Sequence, residues 1–315
     1  MSGPVSGLLD RIWFPPVPAA RPALLRLAVG TYAVWLMYTN GVAWTKDSRQ
    51  AAERFQPVGL PALFSAPLEP AVFDLVVAGT FVGLVVFVLG FGHRVLAPLT
   101  ALAFCFVLAY RTSWGKVYHS DNLLWLQLFA LAVTPSADAW SLDAWLARRG
   151  PGWRPLSWLR WPQAPRVDWR YGWSVQLAAT LTAATYFLAG LAKVTGELGF
   201  GWATGQNLLA QIGKNAIQAE FLTVEGPTDT VLWAWQLGLP VLGGLAWGSL
   251  LLELLAPVAL LHRWLGRAFA VATWCLHAGI HVLMDITFWF PMSGFAFLVF
   301  FPLERLLPRS LRDED

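Results

Sequence analysis

The sequence predicts an all-α polytopic membrane protein with about eight transmembrane helices. Hydrophobic residues make up 57% of the 315-residue chain and charged residues only 13%. Mean hydropathy is +0.52, whereas a soluble chain of this size needs more charge to cover its surface. One bilayer crossing takes about 20 apolar residues, and eight runs near that length can be drawn. This balance excludes a cytoplasmic enzyme, a secreted disulfide scaffold and a disordered tail.

The expected spans are 23–44, 71–92, 95–111, 121–135, 172–193, 241–262, 265–284 and 287–305. The fourth is short and needs help from its flanks. Ahead of the sixth, residues 230–240 are apolar too. Pro240 and the Gly243–Gly244 pair mark them as an approach segment before the span proper. Residues 1–22 hold Arg11, Trp13 and several prolines, with no apolar core before a small-residue cleavage site. The first span is therefore expected to direct insertion itself. The chain divides into a cytoplasmic segment 1–22, a single membrane domain 23–305 and a cytoplasmic tail 306–315.

Charge sets the expected orientation. With the N-terminus in the cytoplasm, 15 of the 22 Lys and Arg residues fall on inside segments and 7 on outside ones, as the positive-inside rule requires. An even number of spans then puts both termini inside. Every Arg cluster is inside, while Lys46, Lys116, Lys193 and Lys214 are all outside. The net charge of +3 is thus a topological signal, and no basic reading surface for nucleic acid accompanies it. Cys105 and Cys275 sit in apolar runs and read as small buried hydrophobes.

Two connecting segments carry structure. The inside loop 137–170 is rich in Trp, Pro and Arg, and Ser141 can cap a short helix from Leu142 to Arg149 with Trp145 on its membrane side. Outside, Leu208, Leu209, Ile212, Ala216, Ile217 and Phe221 recur near helical spacing between spans 5 and 6. They predict an amphipathic helix on the outer face, serving as a collar or as a lid.

Ionisable groups inside spans are costly and mark function. His119, Ser120, Asp121 and Asn122 fall at the outer mouth of span 4, Lys193 at the outer end of span 5, and His277, His281 and Asp285 along span 7. The i, i+4, i+8 spacing of the last three places them on one slowly drifting face. Two His four apart without a third ligand do not make a metal site, and no metal is expected. Proton handling or interhelical hydrogen bonding suits them better. Lys193 either favours the helix dipole and snorkels to water or, held in an apolar pocket, acts as a general base. Glu253 lies within span 6 and Arg26 near the inner end of span 1. If they face each other, they form a buried pair or part of a proton path. Asp74 is read as a helix cap.

At these residues the chain resembles the vitamin K-dependent gamma-carboxylase family and its bacterial relatives, the HTTM membrane domain proteins. Tyr186-Phe187-Leu188-Ala189-Gly190-Leu191-Ala192-Lys193 is similar to the family's YFxAGxxK segment, although a tandem lysine of the family is Ala192-Lys193 here. Trp202 and Gly205 follow, a few residues further away than in the family. Ser113-Trp114 with His119-Ser120 resembles its SW…HS stretch, and Trp140-Ser141-Leu142-Asp143 its W-S-[VL]-D. Leu252-Glu253-Leu254 is similar to an acidic stretch of the next helix, and His277 matches a His of the following span.

The resemblance implies a quinol-dependent carboxylase or epoxidase-type enzyme in a bacterial inner membrane, with reduced quinone as cofactor. It makes Lys193 the catalytic base and His119 its acid or hydrogen-bonding partner. Asn122, Trp114, Tyr186, Trp202 and His277 are then the wall of the quinone site, and His281, which has no counterpart in the family, joins them through its spacing one turn from His277. The partners it implies are the lipid bilayer, the quinone and a membrane or extracytoplasmic protein. Two other classes stand beside the enzyme: a non-catalytic membrane partner of a redox or maturation protein, and, last, a proton-coupled transporter on the His277, His281, Asp285 face.

Overall fold

A computed structural model of the protein describes residues 7–115, 121–149, 156–162, 164–222 and 230–308. It is helical apart from one two-residue strand pair, Val17–Pro18 (β1) antiparallel to Val167–Asp168 (β2). Among the described residues, five helices are long and apolar enough to cross a membrane: Pro70–Leu89 (α3), His93–Thr112 (α4), Trp169–Thr195 (α7), Thr230–Leu254 (α9) and Arg263–Met284 (α10). The protein is a multi-pass helical membrane protein. The chain forms two compact units, residues 1–181 with 301–315, and residues 182–300.

In the first unit, Leu8–Trp13 (α1) precedes the 28-residue helix Ala20–Asp47 (α2), which packs against α3 and Asn122–Ala132 (α5). Arg21 of α2 pairs with Glu304 at 2.8 Å. Helix α3 starts with Pro70 in its first turn and stops at Gly90 in the left-handed conformation, the usual asymmetry of helix ends. Helix α4 begins three residues later with no capping side chain of its own. Its Gly92 and His93 amides instead donate to the two carboxylate oxygens of Asp143, each at 2.9 Å. Asp143 belongs to Leu142–Arg148 (α6), whose Ser141 hydroxyl accepts the Ala144 amide at 2.9 Å. The short capped helix expected from the sequence is present, and its cap lies where the sequence placed it.

Arg26 is wholly buried in this unit. Its guanidinium donates to the carbonyls of Ser136 at 2.8 Å and Trp140 at 2.6 Å. Beside that contact, Asp138 accepts the Tyr171 hydroxyl at 2.9 Å. Burial pushes the Asp138 carboxyl up to about 6, outweighing the Tyr171 hydrogen bond and the Arg170 charge that favour its ionised form. A carboxyl with a raised folded-state value binds its proton more tightly folded than unfolded, so stability falls as pH rises from about 4 to about 6. Asp138→Asn is expected to flatten that decline, read as the difference between variant and wild-type unfolding midpoints across this window. Parallel profiles for the two proteins overturn the assignment.

The second unit holds the end of α7, a 3-10 turn at Gly199–Ala203, helix Gly205–Leu222 (α8), α9, α10, the four-residue helix Trp289–Met292 (α11) and a 3-10 segment at Phe295–Phe300. The amphipathic helix expected between spans 5 and 6 is α8. Its Leu208, Leu209 and Ile212 pack on Ala234 and Leu242 of α9 and near Leu283 and Met284 of α10. The first half of its apolar stripe is therefore spent on protein, whereas Ile217 further along is exposed. Helix α9 kinks at Gly238, with φ +79 and ψ 155, two residues before Pro240. This is the break that the proline implied.

Several expectations are corrected. Span 287–305 is not one helix: Pro291 and Pro302 lack amide donors and Gly294 takes φ +79, so only short helical pieces form. Helix α5 has 11 residues, about 17 Å at helical rise, less than a hydrocarbon core. Residues 256–262, assigned to span 6, leave α9 through a 3-10 turn at Ala256–Leu260 that contains Pro257. Cys275 is exposed rather than buried, because an apolar residue on a spanning helix can face lipid instead of protein. Asp74 caps nothing. It pairs with Arg49 at 2.6 Å on the surface.

Candidate functional site

The face of α7 that carries the resemblance is built on helical spacing. Tyr186, Gly190 and Lys193 stand at i, i+4 and i+7, one above another on a single face. Gly190 lets α9 approach closely: a Cβ there would lie 2.9 Å from the Cβ of Glu253 and 3.1 Å from the Leu254 amide nitrogen. That approach brings the Glu253 carboxylate to Lys193, one turn further along. The Nζ donates to Oε1 at 2.6 Å and to Oε2 at 2.5 Å. Both groups are largely enclosed, with side-chain exposures of 22% for Lys193 and 9% for Glu253. The ammonium also lies 4.1 Å from the centroid of the Trp202 ring, a cation–π contact. Trp202 is held by its own carbonyl, which accepts the Asn207 side-chain amide at 2.8 Å.

The other end of the face meets α10. The Tyr186 hydroxyl and His277 Nε2 are 2.8 Å apart. Tyr186 packs edge-on against Phe269, and His277 lies 5.0 Å from Phe288, centroid to centroid. The buried stripe of α10 runs Gly266, Phe269, Ala270, Thr273, His277. His277 belongs to it, but His281 and Asp285 do not. Each step of four residues drifts by about 40°, and the helix ends at Met284 with Asp285 in the left-handed conformation. His281 is exposed there, 2.9 Å from the Thr287 hydroxyl. The single His277, His281, Asp285 face is thus divided into one interior group and two terminal ones. Among the described residues, no group of three His, Cys, Asp or Glu is arranged to hold a metal ion.

Of the residues singled out in the sequence, Lys193, Tyr186, Trp202 and His277 are brought into these two linked clusters of the second unit. Trp114 and Asn122 belong to the first unit. Trp114 is buried against Phe55 and Tyr110, and Asn122 is an exposed first residue of α5. His119 lies outside the described residues. The conjectured Arg26–Glu253 pair is replaced by two separate arrangements, Arg26 on backbone carbonyls and Glu253 on Lys193. Sequence reading missed that Glu253 is the partner of Lys193. The available signal was Gly190, a small residue in an apolar helix one turn from a lysine.

Chemically, the Lys193–Glu253 pair is neutral overall and can take up one proton, which leaves it with a net positive charge to set against the anion of whatever group gave the proton. No family model, curated protein or solved structure matches the chain.

Proposed function

We propose that this protein is a quinol-using membrane enzyme of the gamma-carboxylase-like kind, with Lys193 and Glu253 as its proton-accepting pair. One observation carries the reading: Lys193, the residue the resemblance makes the base, is held against a carboxylate and an aromatic ring on the same face as Tyr186 and Gly190. In the ionic form of the pair the Glu253 carboxylate receives the proton; in the neutral form the Lys193 amine does. Tyr186, His277 and Trp202 are the wall groups within the second unit, and Gly190 sets the spacing. A reduced quinone, when bound, supplies an acidic hydroxyl and two electrons. Lys193 and Glu253 orient that hydroxyl and take its proton, while the surrounding apolar side chains exclude water.

The same reading includes eight crossings with both termini cytoplasmic in a bacterial inner membrane. The distribution of Arg supports it, with the 28-residue α2 as a sixth long helix and the short α5 and the broken segment 287–305 as the two irregular crossings. His119 enters through the resemblance alone, as do Asn122 and Trp114, whereas His281 enters through its spacing from His277.

A second reading has support of its own. The pair is satisfied on both sides and ties α7 to α9, which is what a non-catalytic membrane scaffold requires. Mass spectrometry of the purified, detergent-solubilised protein separates the two. The enzymatic reading expects a stoichiometric quinone in the wild type that is lost or weakened in Glu253→Gln and His119→Ala. Absence of quinone, with no binding when reduced quinone is added back, leaves the scaffold.

A further inference from the structure

Thr273 and His277 stand one turn apart in the buried stripe of α10, with relative exposures of 0% and 6%. Each has a polar atom with no hydrogen-bond partner among the described residues: Thr273 Oγ1 and His277 Nδ1. A buried polar atom left unpaired is costly. Threonines in the helices of this chain avoid that cost by bonding to the carbonyl four residues back. Thr80, Thr100, Thr112 and Thr180 all do so, at 2.7 to 3.0 Å. Thr273 is an exception, and its hydroxyl makes no such bond. The opposite ring nitrogen of His277 is engaged by Tyr186. When the phenol donates to Nε2, Nδ1 carries the proton and becomes a donor. Two residues with unpartnered polar atoms thus stand at i and i+4 on the buried side of α10.

We propose that Thr273 and His277 jointly hold one oxygen atom inside the second unit, accepting from His277 Nδ1–H and bonded to the Thr273 hydroxyl, with Tyr186 fixing the histidine ring that presents Nδ1. The chemistry is that of a water molecule or of a carbonyl or hydroxyl oxygen on a small apolar compound. A buried water takes two to four such partners, and the Phe269 and Phe288 rings border Tyr186 and His277. The position is separate from the Lys193–Glu253 pair and stands whether or not that pair acts on a quinol.

Thr273→Val tests it, because valine copies the shape of threonine and removes only the hydroxyl hydrogen-bonding capacity. If the hydroxyl holds an oxygen, Thr273→Val lowers the thermal unfolding midpoint of the full-length detergent-solubilised protein, and Thr273→Ser stays near wild type. If the hydroxyl is an orphan, Thr273→Val relieves its burial and the midpoint stays level or rises, which overturns the proposal. A loss of equal size in Thr273→Ser also overturns it, since the methyl group and not the hydroxyl then matters. Repeating the comparison after exhaustive delipidation, with the released small molecules followed by mass spectrometry, distinguishes the source. A valine deficit that persists identifies a water, and one that disappears together with a released compound identifies that compound's oxygen.

Discussion

Lys193→Met is expected to destabilise the protein substantially, and the double variant Lys193→Met/Glu253→Leu to recover most of the loss. The single change strands the Glu253 carboxylate, which is 7% exposed, between α7 and α9 with its two short hydrogen bonds gone. Breaking one side of such a pair costs about 3 kcal/mol or more, whereas replacing both sides with apolar groups is often close to neutral. The residual exposure of Lys193 places the effect at the lower end of that range. Unfolding in denaturing detergent is the measurement, with all three proteins compared under one condition. Equal losses in the single and double variants would show that the contact around Gly190, and not the charge pair, holds these helices. The double variant also has a functional use. Folded but without a proton acceptor, it is expected to lose any quinol-dependent activity that the wild type shows, and retention of that activity removes the pair from the chemistry.

The second large effect concerns Arg26. It is wholly buried, with three hydrogen bonds to the backbone carbonyls of Ser136, Ala139 and Trp140 in the segment that follows α5. One of those carbonyls belongs to Trp140, whose φ of +49 is a conformation that side-chain-bearing residues seldom adopt. The guanidinium fork therefore does two things: it satisfies the carbonyls and holds the turn that delivers Ser141 and Asp143 to their capping positions. Arg26→Met is expected to cost about 3–5 kcal/mol, and Arg26→Lys to recover only part, because one ammonium cannot span these carbonyls as the planar fork does. Limited proteolysis within the 136–149 segment gives an independent readout. Cutting should accelerate in Arg26→Met and remain slow in Asp138→Asn, which retains the turn. Unchanged cleavage in Arg26→Met means that the turn is held by α6 alone.

Much of the architecture was legible in the residues. Five of the drawn spans coincide with long apolar helices because uninterrupted runs of Val, Leu, Ala and Phe leave the backbone no better way to satisfy its amides in lipid. Ser141 was recognisable as a cap from its place before a short amphipathic run. The period of Leu208, Leu209 and Ile212 gave α8, and Pro240 announced the kink. Two errors share one cause. The segment 287–305 has the hydropathy of a span, and 121–135 nearly so, but hydropathy reports what a segment can dissolve in and not whether its hydrogen-bond ladder is continuous. Pro291, Gly294 and Pro302 decide the former, and the end of α5 at Ala132 decides the latter.

The site was legible as faces and not as pairs. Spacing alone aligned Tyr186, Gly190 and Lys193, and it marked Glu253 and His277 as groups that need a partner inside an apolar helix. It could not say that Glu253 meets Lys193, that His277 meets Tyr186, or that Arg26 is spent on carbonyls. Those choices depend on the rotation and longitudinal register of one helix against another, which are set by the fit at Gly190, the kink at Gly238 and the ends of α9 and α10. By itself the sequence determined the solvent, the helices and the face each functional group occupies, since these follow from local hydrophobicity and the 3.6-residue period. Only the tertiary structure decided the partners, because lipid-facing and protein-facing stripes of a spanning helix are equally apolar and the energy that separates alternative registers resides in a few polar contacts and one missing Cβ.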